Sequence, residues 1–182
     1  MRDTTPHKFS IEALNRASAS QAVAILDRIV ERSVWLAQRA AAARPFGDVA
    51  DLADWLEAEV RNLPHDEAVQ LLCAHPELSP PDPAAMTQAS QLEQGRLQLL
   101  EADTALSTQL ADLNRQYQRT HGYPFVIALH AQSSINSVIE DFNKRLKADA
   151  DEELSRSLGE VVSVMRARLT KLSGIALTEA EL

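Results

Sequence analysis

Ser134-Ile-Asn-Ser-Val-Ile-Glu-Asp-Phe-Asn-Lys-Arg-Leu146 decides how this chain is read. Its apolar residues Ile135, Val138, Ile139, Phe142 and Leu146 fall at i, i+3, i+4, i+7 and i+11, the repeat of a helix that buries one stripe. The same spacing recurs on both sides. Downstream, a helix from about Asp151 carries Leu154, Leu158, Val161, Met165, Leu169 and Leu172 and stops before Gly174. Upstream, Ser20 is placed to cap a helix reaching Arg32, and Asp48 one that carries Val49, Leu52, Leu56 and Leu63. Further helices are expected over about 65–74, from Thr87 to about Leu100, and from about Ser107 to a Gly122 cap, with a proline-rich loop over Pro76–Met86. Only Tyr123-Pro-Phe-Val-Ile-Ala-Leu129 has strand character. A single strand cannot make a sheet, so this piece is expected as a short extended segment packed on helices. The spacing predicts an all-α bundle of about seven to eight helices, read as one domain over 1–182.

Five glycines and eight prolines among 182 residues suit a helical chain. A net charge of −8 disfavours a nucleic-acid surface, because phosphate binding needs clustered Lys and Arg; an anionic ligand would need a local countercharge. No apolar run is long enough to cross a bilayer, which sets aside a membrane role. Met1–Ser10 has no apolar leader core and Glu179–Leu182 no peroxisomal tripeptide, so the expected location is cytoplasmic. One cysteine, Cys73, sets aside a disulfide framework, and no two of the five histidines stand at ligand spacing, so no metal is expected.

Gly-rich phosphate loops, nucleophile elbows and zinc-protease helices are absent from the sequence. The remaining candidates are polar residues in unusual places. His75 closes an apolar helix at the lip of the proline-rich loop. It either complements the helix dipole there or exchanges protons near neutral pH. Ser90, Glu93, Gln94 and Leu97 share one helix face, which is either a solvated stripe or a partly buried wall whose carboxylate needs partners. Arg145 borders the apolar stripe of its helix, while Lys144 and Lys147 point away. It either snorkels to water or meets an interior anion.

In order along the chain stand Glu31-Arg-Ser-Val-Trp35, Arg44-Pro-Phe46, Leu71-Leu-Cys-Ala-His-Pro-Glu-Leu78, Ser90-x-x-Glu93-Gln94, Leu113-Asn114-x-x-Tyr117 and Gly122-Tyr-Pro-Phe-Val-Ile127, with Arg145 beyond. Together they resemble the family of 2-oxo-4-hydroxy-4-carboxy-5-ureidoimidazoline (OHCU) decarboxylases. The resemblance implies an all-helical, commonly dimeric enzyme that needs no cofactor and forms (S)-allantoin in urate breakdown. It implies His75, Glu93 and Arg145 as catalytic residues. Pro76, Ser90 and Gln94 would line the substrate pocket, and the backbone of Phe125, Val126, Ile127, Ala128 and Leu129 would meet the heterocycle. The chain departs from the family pattern at Leu97-Gln98-Leu99, where A-G-L is usual, and in its Ser79-Pro-Pro-Asp-Pro83 loop. Those departures suit the rival readings, a paralogue acting on a related ureido or hydantoin-like acid, or a helical binding module without catalysis.

Overall fold

The structure is a computed structural model that describes residues 9–177. His7, Glu179–Leu182 and most of the leader reading over Met1–Ser10 lie outside the described residues. Among the described residues there are nine α-helices and three short 3-10 turns, with no strand. They gather into two compact units, one of residues 9–58 and 165–177, the other of Glu59–Val164.

The first unit begins with α1 (Ile11–Arg16), α2 (Ala19–Leu26), α3 (Val34–Ala42) and most of α4 (Val49–Arg61). Ser18, not Ser20, caps α2, in a capping box with Gln21. That helix ends at Leu26, well short of Arg32, as its bonds tighten to Ile29 N–H on Leu26 O at 2.9 Å. The turn buries Ile29 and Val30 completely and sends Glu31 inward, where the Arg168 guanidinium meets it at 3.0 Å. Asp48 does cap α4, accepting from Asp51 N–H at 2.8 Å.

The second unit holds α5 (His65–Cys73), α6 (Gln88–Gly95), α7 (Thr104–His121), α8 (Ile135–Arg145) and most of α9 (Ala150–Ser173). Thr87 caps α6 as its position promised, but the helix ends at Gly95 rather than near Leu100. Gln98 is left-handed at φ 56, and the chain re-enters the core as a 3-10 turn, Leu99–Glu101, with Leu99 fully buried. Helix α7 starts earlier than Ser107 because the Asp103 carboxylate accepts from Leu106 N–H at 2.8 Å, and it ends on Gly122 at φ 84. Ser134 caps α8 reciprocally with Ser137. Between α7 and α8, Pro124–Ala128 runs extended and unpaired into a 3-10 turn, Leu129–Ala131, and Phe125 through Leu129 are all buried.

Candidate active site

His75 is set by the end of α5. The helix stops short of Pro76, whose ring disfavours helical backbone in the residue before it, and His75 N–H closes a last turn on Leu72 O at 3.0 Å. The imidazole folds back on its own helix, with Nδ1 3.0 Å from the Leu71 carbonyl. A carbonyl only accepts, so a neutral ring bonded this way carries its proton on Nδ1 and keeps Nε2 as the basic nitrogen. Nδ1 thus satisfies a helix-end carbonyl at the lip of the loop.

The loop opened by Pro76 is pinned from two helices. Gln94, 3% exposed on α6, accepts Ser79 N–H at 2.8 Å and donates through Nε2 to Glu77 O at 2.9 Å. Asn114 on α7 donates to Leu78 O at 2.9 Å. Both amides are thereby engaged with loop backbone, and Ser79 turns the chain at φ 50. Ser90 is buried and accepts from the Thr87 hydroxyl at 3.2 Å, while Pro76 and Glu93 are half-buried. Leu97, one turn beyond Glu93, borders a cavity of about 320 Å³ with Arg96, Gln98, Ser134, Ile135 and Asn136.

The extended segment is held by a buried ionic cluster. Arg145 is 2% exposed, and every guanidinium nitrogen is bonded inside the protein: Nε to Glu153 Oε1 at 2.7 Å, Nη1 to Val126 O at 2.9 Å, Nη2 to Ser157 Oγ at 3.0 Å. Its plane lies 4.4 Å over the Phe125 ring, which stacks on Phe142 at 3.9 Å. Glu160 accepts Ala128 N–H at 2.7 Å. The Tyr117 hydroxyl donates to Glu153 at 2.5 Å; burial first, and then that bond, push its pKa far above the usual tyrosine range. Burial likewise raises the Tyr123 hydroxyl. Thus Arg145 is charge-balanced by Glu153, and its contact with the expected site runs through the Val126 carbonyl and the Phe125 ring.

Helix α6 joins the two halves of this arrangement. Gln94 fixes the loop after His75-Pro76, and Arg96, the C-cap, donates from Nη2 to Leu129 O and, at 2.7 Å, to Gln132 O. Sequence reasoning missed Arg96, Glu153, Ser157 and Glu160. The last three had a signal, since i, i+4 and i+7 place them on one face of α9 beside its apolar residues. Arg96 had none, because its partners are backbone carbonyls more than thirty residues away.

The family model of OHCU decarboxylase matches residues 15–170. A 2-oxo-4-hydroxy-4-carboxy-5-ureidoimidazoline decarboxylase of Mus musculus is 32% identical over 88% of this chain and 91% of its own length. One from Haloferax volcanii is 28% identical over 91% of this chain and 96% of its own. Among solved structures, an OHCU decarboxylase in the presence of (S)-allantoin has a TM-score of 0.68 at 15% identity, covering 87% of this chain and 100% of that one. An (S)-allantoin synthase has a TM-score of 0.65 at 23% identity, and the match spans 53% of that longer chain. At those identities the two structures speak for the fold.

Proposed function

Since the chain belongs to the OHCU decarboxylase family, we propose that it is a carboxy-lyase that converts 2-oxo-4-hydroxy-4-carboxy-5-ureidoimidazoline to (S)-allantoin in urate breakdown, as one catalytic domain over 1–182. The substrate carries its own electron sink. When the bond from the ring carbon to the carboxylate breaks, CO2 leaves and the electron pair forms a double bond to the neighbouring carbon. The C=N pair moves onto its nitrogen, which takes a proton from solvent. The hydroxyl on the same carbon gives up its proton to become a carbonyl, and the neighbouring carbon takes a proton to become the new stereocentre. The protein has to hold the ring and move those two protons. His75 Nε2 is the proposed acceptor of the hydroxyl proton and donor of the returned one, with Glu93 orienting the imidazole. Pro76, Ser90 and Gln94 are assigned to the pocket wall, and the backbone of Phe125–Leu129 to the heterocycle. Arg145 is assigned the placing of that backbone, through Val126.

The observation that carries this reading is the double anchorage of α6. Gln94 ties it to the loop after His75-Pro76 and Arg96 ties it to the turn after Leu129. The loop after the His-Pro motif and the turn that follows the G-Y-P-F segment, far apart in sequence, are thereby both bonded to the helix that carries S-x-x-E-Q. The test is to generate the substrate in place from urate with urate oxidase and hydroxyisourate hydrolase and to follow the optical activity of (S)-allantoin. We expect acceleration over spontaneous decay, abolished in His75→Gln with the circular dichroism of the fold unchanged. Equal rates with and without protein would remove the proposal, and an active His75→Gln would remove its catalytic residue. A homodimer and a cytoplasmic location go with the same reading; light scattering and cell fractionation check them. The described residues contain no helix long and apolar enough to cross a membrane.

A further inference from the structure

We propose that Arg96 is a positioning residue of this site, holding Glu93 and the backbone of Phe125–Leu129 in one frame; the proposal rests on the function assigned above. Helix α6 has eight residues, and the ones it buries, Ser90 and Gln94, are both polar. Its Leu92 is 57% exposed. A helix this short is marginal by itself, and this one has no broad apolar stripe to seat it. Thr87 caps its first turn, and its place is set by polar clamps from its last turn, Gln94 toward the His75 loop and Arg96 toward the turn after the extended segment. The Arg96 guanidinium caps the carbonyl end of the Leu129–Ala131 turn, where oxygens point outward and a cation is favoured. Glu93 lies three residues before Arg96, on a neighbouring patch of the helix surface. One side chain therefore fixes the spacing between the carboxylate that orients His75 and the backbone groups that receive the ring. Arg96 itself performs no proton transfer.

Reacting groups displaced by about an ångström can lose on the order of a hundredfold in rate. For Arg96→Met in the full-length protein we expect kcat/KM for OHCU to fall about tenfold or more, and Arg96→Lys, which keeps a cation for the carbonyls, to recover to within about threefold of wild type. Hydrogen exchange supplies a readout independent of substrate. In Arg96→Met the amides of α6 and of 129–132 should exchange faster, while those of α7 and α8 keep wild-type protection. Wild-type kcat/KM in Arg96→Met would overturn the proposal, as would wild-type exchange in both segments, or a loss that Lys does not rescue at all. A wild-type protein inactive toward OHCU would instead overturn the function assigned above, and the exchange experiment would still decide whether Arg96 clamps the two segments.

Discussion

Gln98 leaves α6 at φ 56 and ψ 25, a left-handed backbone that costs a residue with a Cβ about 1–2 kcal/mol. Gln98→Gly removes that cost and regains some unfolded-chain entropy, for an expected net stabilisation of about 0.5–1 kcal/mol in urea unfolding. A destabilised variant would mean that the Gln98 side chain itself holds the turn. Arg145 gives the opposite case. It is paired with a fully buried carboxylate, Glu153, whose other cation, the exposed Arg156, stands off at 3.6 Å, so Arg145→Met removes that charge's main partner and should cost about 3 kcal/mol by the same measurement. An arginine whose main task is to bind a ligand at the surface would lower activity and leave the unfolding midpoint in place. The two outcomes therefore separate the interior role from the substrate-facing one expected from sequence.

Helix α7 shows how an element can carry packing and polar support on one face. Leu110, Leu113, Asn114 and Tyr117 are buried at i, i+3, i+4 and i+7. The two leucines build core, and the two polar members reach Leu78 O and Glu153. Asn114→Leu keeps the volume but leaves the Leu78 carbonyl without this donor, at a cost of about 1–3 kcal/mol. The loop after Pro76 should then exchange its amides faster than the rest of the unit; unchanged exchange would assign the loop's order to Gln94 alone. At this scale the helices were legible from spacing and caps, as α8 with Ser134 and α7 with Gly122 illustrate. Two short helices, α1 and α3, had no counterpart in the sequence reading, and the other failures were at ends. The reading that ran α2 to Arg32 and α6 to Leu100 followed apolar spacing past points where the interior pulled the backbone into tight turns, burying Ile29 and Leu99.

For the protein as a whole, Tyr117 predicts an alkaline limit on stability. Its folded pKa is raised by burial and by Glu153, whereas an unfolded tyrosine ionises near about 10. The hydroxyl's contribution is fully present below that pH. Above it the unfolded chain gives up a proton that the folded protein keeps, so stability falls as pH rises, by up to about 1.4 kcal/mol per pH unit from this group. Tyr117→Phe should be less stable at pH 8 yet lose less on going to pH 11, read as a shallower fall of the melting temperature; parallel curves would assign the alkaline loss to other groups. The sequence by itself determined that this chain is all-helical, where α4, α5, α6, α8 and α9 begin, that an extended segment without a sheet lies within 123–129, and which ordered motifs place it in its family. These are local periodicities, caps and residue identities, all written along the chain. Only the tertiary structure decided that Arg145 is neutralised by Glu153, that Gln94 and Asn114 hold the loop after His75, and that Arg96 ties α6 to the turn after Leu129. Most of those partners are backbone carbonyls or side chains from distant elements. Every residue has a carbonyl, so nothing in the order of residues says which carbonyl a distant side chain will reach.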